Sequence, residues 1–128
     1  MYLIDPHLVA IVDDDPGVSG SIASLLRSAG LVSERFACGS DLIGRGSLGE
    51  FACIISDLHM DGMDGKALQS ELAGCGWSGQ FVVITAFPTE ADREQLMAKG
   101  AHAFVAKPID PDSFLALIEA AIESGSAC

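Results

Sequence analysis

Five short apolar segments alternate with amphipathic segments along the chain. The apolar segments cover residues 8–12, 32–36, 51–56, 80–85 and 103–106. The amphipathic segments have apolar residues at helical spacing and cover residues 16–29, 40–43, 64–73, 88–99 and 110–123. Apolar strands separated by helices are typical of a parallel sheet that is covered on both faces. We therefore predict an α/β fold with five parallel strands, and the polar centre of the second strand favours an edge position.

Proline, glycine and aspartate mark the predicted helix boundaries. Pro16 behind Asp15 predicts the start of the first helix, and Gly30 predicts its end. Pro88 is expected to begin the fourth helix, and Gly100 is expected to end it. The spacing of apolar residues in the third helix predicts three that face the core: Ala67, Leu68 and Leu72.

The chain has 128 residues, which is the size of one domain with a single hydrophobic core. We expect an N-terminal extension (residues 1–6), the domain itself (residues 7–124) and a flexible tail (residues 125–128). A net charge of −11 argues against direct nucleic-acid binding, which needs clustered Lys and Arg. No apolar run is long enough to span a membrane, and the N-terminus does not resemble a signal peptide, so we expect a cytoplasmic location.

Two features that often carry chemistry are not expected to do so here. The four cysteines form no C-x-x-C pair and have no histidine at metal-ligand spacing, so we expect non-functional thiols, with Cys53 as a buried apolar residue. Residues 44–49 match the dinucleotide fingerprint G-x-G-x-x-G. They follow a helix and lead into a strand, which is the reverse of the order that nucleotide binding requires.

Charged residues stand at the ends of three predicted strands. Asp13, Asp14 and Asp15 follow the first strand, Asp57 ends the third, and Lys107 ends the fifth. Ligand sites in parallel sheets lie at the carboxyl ends of the strands, where these residues meet. Clustered carboxylates repel one another, and a hard divalent cation such as Mg²⁺ relieves that repulsion. Helix capping is the simpler alternative, but it needs one carboxylate, assigned to Asp15, and explains neither Asp57 nor Lys107.

Two further residues at this edge add to the site. Lys107 offers a point positive charge for a phosphate or carboxylate oxygen. Pro108 restricts Lys107 to an extended conformation and suits a sharp turn, through a cis bond among other routes. Thr85 places a hydroxyl at the end of the fourth strand, although taken alone such a residue is more typical of a cap or turn.

Together these segments resemble the receiver domain of two-component response regulators, the CheY-like family, in its FixJ-type branch. The resemblance covers residues 7–124 and rests on residues 11–15, 56–60, 62–65, 83–86 and 106–108. It implies a flavodoxin-like fold in (βα)5 order.

The resemblance also implies a role for each matching residue. Asp57 would be the phospho-acceptor, and Lys107 would pair with Asp57 and then with the phosphoryl oxygens. Asp13, Asp14 and Asp57 would hold Mg²⁺ together with the backbone carbonyl of His59.

Other residues would respond to the phosphoryl group or modulate its lifetime. Thr85 would hydrogen-bond the phosphoryl group, and Phe104 stands where the family has its switch aromatic residue. His59 and Phe87 stand at positions through which family members tune hydrolysis, and we expect Phe87 to hinder the approach of water. Asp61 stands where the family commonly has Pro, so the loop is expected to be more mobile or the metal affinity altered, unless Asp61 is simply a solvated acid.

The function implied is a signalling module rather than a dedicated enzyme, with self-catalysed transfer and hydrolysis. The phosphoryl donor would be a histidine kinase or phosphotransfer protein. The face carrying the fourth helix and fifth strand would then engage a downstream protein, a missing C-terminal output domain or a second copy of the chain.

Two alternative functions remain at the level of the sequence. A Mg²⁺-dependent phosphatase of the haloacid dehalogenase type needs D-x-D-x-[TV], whereas Gly17 stands at the last position, and the chain has no cap domain. A binding module that works without phosphorylation would not need the complete set of Asp13, Asp14, Asp57, Thr85 and Lys107.

Overall fold

The structure is a computed structural model in which residues 5–126 are described, and its strands and helices alternate along the chain. The strands are β1 (Asp5–Val12), β2 (Val32–Phe36), β3 (Phe51–Asp57), β4 (Gln80–Thr85) and β5 (Ala103–Ala106). The helices are α1 (Pro16–Ser28), α2 (Gly39–Arg45), α3 (Gly65–Gly74), α4 (Glu90–Ala98) and α5 (Pro111–Ser126). A short 3-10 helix, Leu48–Glu50, precedes β3.

All strand pairs are parallel, and the strand order is β2-β1-β3-β4-β5. The predicted α/β fold and the edge position of β2 are therefore confirmed. Successive side chains of a strand point to opposite faces, so the central strands supply two cores. Val9 and Ile11 belong to the core under α1 and α5, whereas Ala10 and Val12 belong to the core under α2, α3 and α4.

The start of α1 agrees with the sequence, but the start of α4 does not. The Asp15 side chain caps α1 by accepting hydrogen bonds from its first turn, and Pro16 is the first helical residue. Pro88 lies outside α4, so the prediction that it begins the helix is wrong. The reason is that Thr89 acts as the cap, because its hydroxyl accepts a hydrogen bond from the Asp92 N–H at 3.1 Å.

The inward face of α3 also differs from the prediction in one position. Leu68 and Leu72 are buried as expected, but Ala67 is exposed. Gln69 is buried instead, and its amide Nε2 donates to the backbone carbonyl of Leu96 on α4 at 3.1 Å. A hydrogen bond between two helices thus buries a polar side chain that periodicity assigns to the surface.

The regular structure extends beyond the predicted domain boundaries at both ends. β1 begins at Asp5, inside the expected N-terminal extension, and α5 continues to Ser126, inside the expected tail. No proline interrupts α5 near its end, so the helix can continue through serine and glycine. The expected flexibility of residues 127 and 128 lies outside the described residues. Over residues 5–126, no helix combines the length and apolar character needed to cross a bilayer.

Candidate functional site

The carboxyl ends of β1, β3, β4 and β5 bring the predicted site residues together. Asp13 and Asp57 are only 3% and 6% exposed, although both carry carboxyl groups, and Thr85 is fully buried. Lys107 follows β5 and reaches both acids with its ammonium group. Burial of two carboxyl groups beside one lysine is unfavourable unless further positive charge or hydrogen bonds compensate it.

Three carboxylates form the centre of the site. Asp13, Asp14 and Asp57 each offer an oxygen atom, and these oxygens lie within 4.8 Å of one another. Asp13 and Asp57 are buried, whereas Asp14 is exposed. Three carboxylate oxygens open to solvent on one side fit a hard divalent cation that keeps several waters, as Mg²⁺ does.

Backbone hydrogen bonds hold Asp13 in place. Its N–H donates to the carbonyl of Phe36 at 3.0 Å, which extends the β1–β2 pairing past the end of β1. Its Oδ1 accepts a hydrogen bond from the N–H of Asp15 at 2.9 Å. The loop between β1 and α1 is therefore fixed at its first and third residues.

Lys107 connects the acids across the sheet. Its Nζ lies 3.2 Å from Asp13 Oδ2 and 3.3 Å from Asp57 Oδ1. The backbone N–H of Lys107 donates to the carbonyl of Thr85 at 2.8 Å, which fixes the start of the loop. The Lys107–Pro108 peptide bond is cis, one of the routes expected for the turn.

Burial and neighbouring charges shift the pKa of both Asp57 and Lys107. Burial raises the pKa of Asp57, the neighbouring charge of Asp13 raises it further, and Lys107 opposes both effects. Burial alone would lower the pKa of Lys107, but Asp13 and Asp57 outweigh it, so the pKa of the lysine is raised. The lysine therefore stays charged, while ionised Asp57 lacks full compensation within the protein itself.

Thr85 and Phe104 lie on neighbouring strands at this edge. Thr85 Oγ1 accepts a hydrogen bond from the N–H of Phe87 at 3.0 Å, so the hydroxyl proton is still able to donate. Thr85 is paired with Ala106 on β5, and Phe104 lies two residues before that partner. Phe104 is half-buried and packs against the core under α2, α3 and α4.

The two loops that follow β3 and β4 meet above the site. Phe87 is 73% exposed, and its ring lies edge-on to the ring of His59, with centroids 6.1 Å apart. His59 and Asp61 are both exposed. The exposed ring of Phe87 therefore contacts the loop after β3 through His59.

Comparison with known proteins places the chain in a family. A sequence profile of the response regulator receiver domain matches residues 9–119. The chain belongs to the response regulator receiver domain family. The transcriptional regulatory protein FixJ of Azorhizobium caulinodans is 30% identical over 114 residues, which cover 89% of this chain and 54% of FixJ.

Solved structures agree with this assignment. The response regulator StyR has a TM-score of 0.84 at 32% identity, and the match covers 94% of this chain and 61% of StyR. A CheY-like receiver domain protein from Methanospirillum hungatei has a TM-score of 0.85 at 20% identity, covering 94% of this chain and 96% of its own, and supports the fold alone.

The resemblance inferred from the sequence is thereby confirmed, and the receiver is a signalling domain of two-component systems. The haloacid dehalogenase alternative is not favoured by these matches. This receiver spans just over half the length of FixJ.

The receiver also has features that sequence reasoning missed. A groove of about 780 Å³ runs between α1 and the segment after β5, lined in part by Val18, Ile22 and Ile109 and bordered by Asp15 and Lys107. The apolar residues of α1 were a partial signal for the groove, but a groove needs two segments, and the sequence does not state how far apart they lie.

Two other contacts were equally invisible in the sequence. Lys66 Nζ on α3 lies 2.6 Å from Asp92 Oδ1 on α4. Arg35 on β2 donates hydrogen bonds to the first turn of α1. Among the cysteines, Cys38, Cys53 and Cys75 are free, and burial raises the pKa of Cys53 to about 12, as suits an unreactive core thiol.

Proposed function

We propose that Asp57 accepts a phosphoryl group from a histidine kinase or phosphotransfer protein, and that the phosphorylated receiver changes its binding partners. One observation carries this proposal: the buried carboxylate of Asp57 lies 3.3 Å from Lys107 Nζ and within 4.8 Å of two other carboxylates. Phosphoryl transfer depends mainly on positioning and charge neutralisation, and this cluster supplies both.

In the transfer, an oxygen of the Asp57 carboxylate attacks the phosphorus atom of the donor's phosphohistidine. The P–N bond breaks, its electron pair goes to the imidazole nitrogen, and an acyl phosphate forms on Asp57. The nucleophile must be ionised. Burial and Asp13 oppose ionisation of Asp57, whereas Lys107 favours it.

The charges of the site support the binding of a metal ion there. Three carboxylates and one ammonium group leave two negative charges, which is the charge that one Mg²⁺ neutralises. Asp13, Asp14 and Asp57 would hold the ion together with the carbonyl of His59. When bound, Mg²⁺ supplies positive charge for the phosphoryl oxygens. Asp13 also orients Lys107, because the ammonium group lies between Asp13 and Asp57.

The response to phosphorylation would begin at Thr85. Its hydroxyl proton is available to donate to a phosphoryl oxygen while its oxygen keeps the hydrogen bond from Phe87. A shift of Thr85 would pull on the start of the loop to α4, and Phe104 would move inward on β5. The surface formed by α4 and β5 would then bind a downstream protein, an output domain or a second receiver, because local phosphoryl contacts bias a two-state surface.

Exposed residues in the loops after β3 and β4 would set the lifetime of the acyl phosphate. Phe87 stands beside His59 and would hinder the approach of water to phosphorus. His59 could instead hydrogen-bond a phosphoryl oxygen. Asp61 adds a negative charge to the same loop and would change metal affinity.

The decisive experiment is intact-mass spectrometry after incubation with acetyl phosphate and Mg²⁺. We expect one added phosphoryl group, dependent on Mg²⁺ and absent in Asp57→Asn. Repeated release of phosphate without a lasting adduct would instead indicate rapid hydrolysis. If neither an adduct nor release occurred, even with a phosphorylated phosphotransfer protein as donor, the domain would act without phosphorylation and the proposal would fail.

A further inference from the structure

The side chain of Arg35 crosses from the end of β2 to the first turn of α1. Its Nε donates to Ser19 Oγ at 3.1 Å, and its Nη2 donates to the carbonyl of Pro16 at 3.0 Å. A Cβ atom built at Gly20 would lie 3.5 Å from Nη2, which is ordinary van der Waals contact, so the guanidinium group packs closely on this side of α1. The guanidinium group therefore lies directly on α1 and joins two of its residues.

The first turn of α1 is in turn joined to the acidic loop. Asp15 Oδ1 accepts hydrogen bonds from the N–H groups of Gly17 and Val18, at 2.8 and 3.4 Å. The N–H of Asp15 donates to Asp13 Oδ1 at 2.9 Å. Arg35 is thus linked through the first turn of α1 to the Asp13 carboxylate, by hydrogen bonds that alternate with short backbone segments.

The neighbouring residue of β2 holds the other end of the same loop. The carbonyl of Phe36 accepts the hydrogen bond from the Asp13 N–H at 3.0 Å. Adjacent residues of an edge strand therefore fix both sides of the loop, one through its backbone and one through its side chain.

Asp14 is the residue that depends most on this support. It is exposed, and within residues 5–126 its carboxylate accepts no hydrogen bond and forms no ion pair. Its position is set only by the backbone on either side. A ligand that must be ordered at the moment of binding lowers the affinity, because the lost conformational freedom is subtracted from the interaction energy.

We propose that Arg35 is a positioning residue for the metal site, which holds the β1–α1 loop so that Asp14 is preorganised to bind Mg²⁺. This inference rests on the proposed function of the acidic cluster. Arg35 is positively charged, so Coulomb repulsion alone would weaken the binding of a cation nearby, whereas support of the loop would strengthen it. The two effects have opposite signs, so they can be separated by measurement.

Calorimetric titration of the unphosphorylated protein with Mg²⁺ tests the proposal. We expect Arg35→Gln to weaken Mg²⁺ binding by about three- to ten-fold, since ordering even one residue has an appreciable entropic cost. Arg35→Lys keeps the charge but lacks the planar fork that bonds two acceptors at once, so we expect an intermediate loss. Ser19→Ala removes one acceptor and should weaken binding less than Arg35→Gln.

Arg27→Gln is the matched control. Arg27 lies near the other end of α1 and is exposed, and its side chain forms no hydrogen bond or ion pair within the described part of the chain. The control should bind Mg²⁺ with unchanged or slightly higher affinity. Unchanged or tighter binding in Arg35→Gln as well would overturn the positioning role and leave only the effect of charge.

A second measurement needs no metal. In Arg35→Gln without Mg²⁺, amide hydrogen exchange should quicken at Asp15, Gly17 and Val18 and stay unchanged in β3 and β4. Unchanged exchange at those three amides would contradict the inference. Failure of the proposed metal site would look different. In that case the wild-type protein would show no Mg²⁺ binding that is lost in Asp13→Asn, whereas failure of the role of Arg35 alone would leave that binding in place.

Discussion

Two helices flank the site, and they are anchored very differently. On one side, α1 buries Ser19, Ile22, Ala23 and Leu26 and is also bound by Arg35. On the other side, α4 buries only Leu96. Apolar burial is the main source of helix stability in a small domain, so α1 is firmly held and α4 is not. The loop with the proposed metal ligands Asp13 and Asp14 adjoins α1, and the loop after Thr85 leads to α4.

Polar contacts from α3 replace part of the missing apolar anchoring of α4. Lys66 pairs with Asp92 in the first turn, and Gln69 donates to the carbonyl of Leu96 in the last turn. This packing is incomplete, because Gln69 Oε1 is buried with no hydrogen-bond partner among residues 5–126, and grooves of about 230 and 410 Å³ border the residue. A helix held by polar contacts can shift at low cost, which suits the side that is proposed to respond to phosphorylation.

The largest expected effect tests the anchoring directly. Leu26→Ala should lower the free energy of unfolding by about 3 kcal/mol, because it leaves a cavity in a fully packed core. Leu96→Ala should cost less globally, since α4 can detach while the sheet stays folded. Urea denaturation followed by hydrogen exchange distinguishes global from local loss. If Leu26→Ala and Leu96→Ala lowered the global free energy of unfolding equally, α4 would be as integral to the folded domain as α1.

The next effect concerns the contribution of the Asp57 carboxylate to the stability of the domain. Because the pKa of Asp57 is raised in the folded state, the folded protein binds more protons than the unfolded chain, and stability falls as pH rises from about 4 through the folded pKa. Without Mg²⁺, Asp57→Asn should therefore raise stability at neutral pH by about 1 kcal/mol.

Thermal unfolding from pH 3 to 8 measures this difference, with Asp112→Asn on the exposed start of α5 as the control. The stability gained in Asp57→Asn should vanish when the pH falls below the pKa that Asp57 has in the unfolded chain. It should also become smaller when Mg²⁺ is added. A gain that persists at pH 3 would show that it does not arise from the buried charge.

The lifetime of the phosphorylated protein should depend on the exposed ring at the α4 side. Phe87→Ala should speed loss of phosphate about three-fold, because removal of a bulky group opens the path for water, and such a change is worth well under 1 kcal/mol of barrier. Single-turnover decay of the acyl phosphate gives the rate. Phe87→Leu should retain most of the protection, and equal rates in all three proteins would rule out shielding by Phe87.

The smallest effect concerns the ion pair between α3 and α4. Lys66→Met should change global stability by only about 0.5 kcal/mol, because a partly exposed pair is screened by solvent. Lys66 lowers the pKa of Asp92, so the stability from this pair is present above the unfolded pKa and lost as pH falls through the folded pKa.

Amide exchange in α4 should respond to Lys66→Met far more than global stability does. A double-mutant cycle with Asp92→Asn isolates the coupling between the two side chains. The control is Lys99→Met, since Lys99 lies at the other end of α4 and its side chain forms no ion pair within residues 5–126. Equal exchange in α4 of both variants would show that the ion pair does not restrain the helix.

Much of this protein follows from its sequence alone. Apolar periodicity located all five strands, and the polar centre of β2 placed it at an edge. The parallel topology then required Asp13, Asp57, Thr85 and Lys107 to meet, because the carboxyl ends of parallel strands share one edge of the sheet. These are local or topological consequences, which need no knowledge of how far apart two side chains lie.

Only the tertiary structure decided the contacts between distant segments. The burial of Gln69 instead of Ala67 depends on a backbone carbonyl of α4, 27 residues further along the chain. The reach of Arg35 to α1 and the difference in anchoring between α1 and α4 depend on distances across the fold. The type of a side chain determines what kind of hydrogen-bond partner it needs, but packing determines which group becomes that partner. Many polar groups could serve, and the fold brings a particular one within hydrogen-bonding distance.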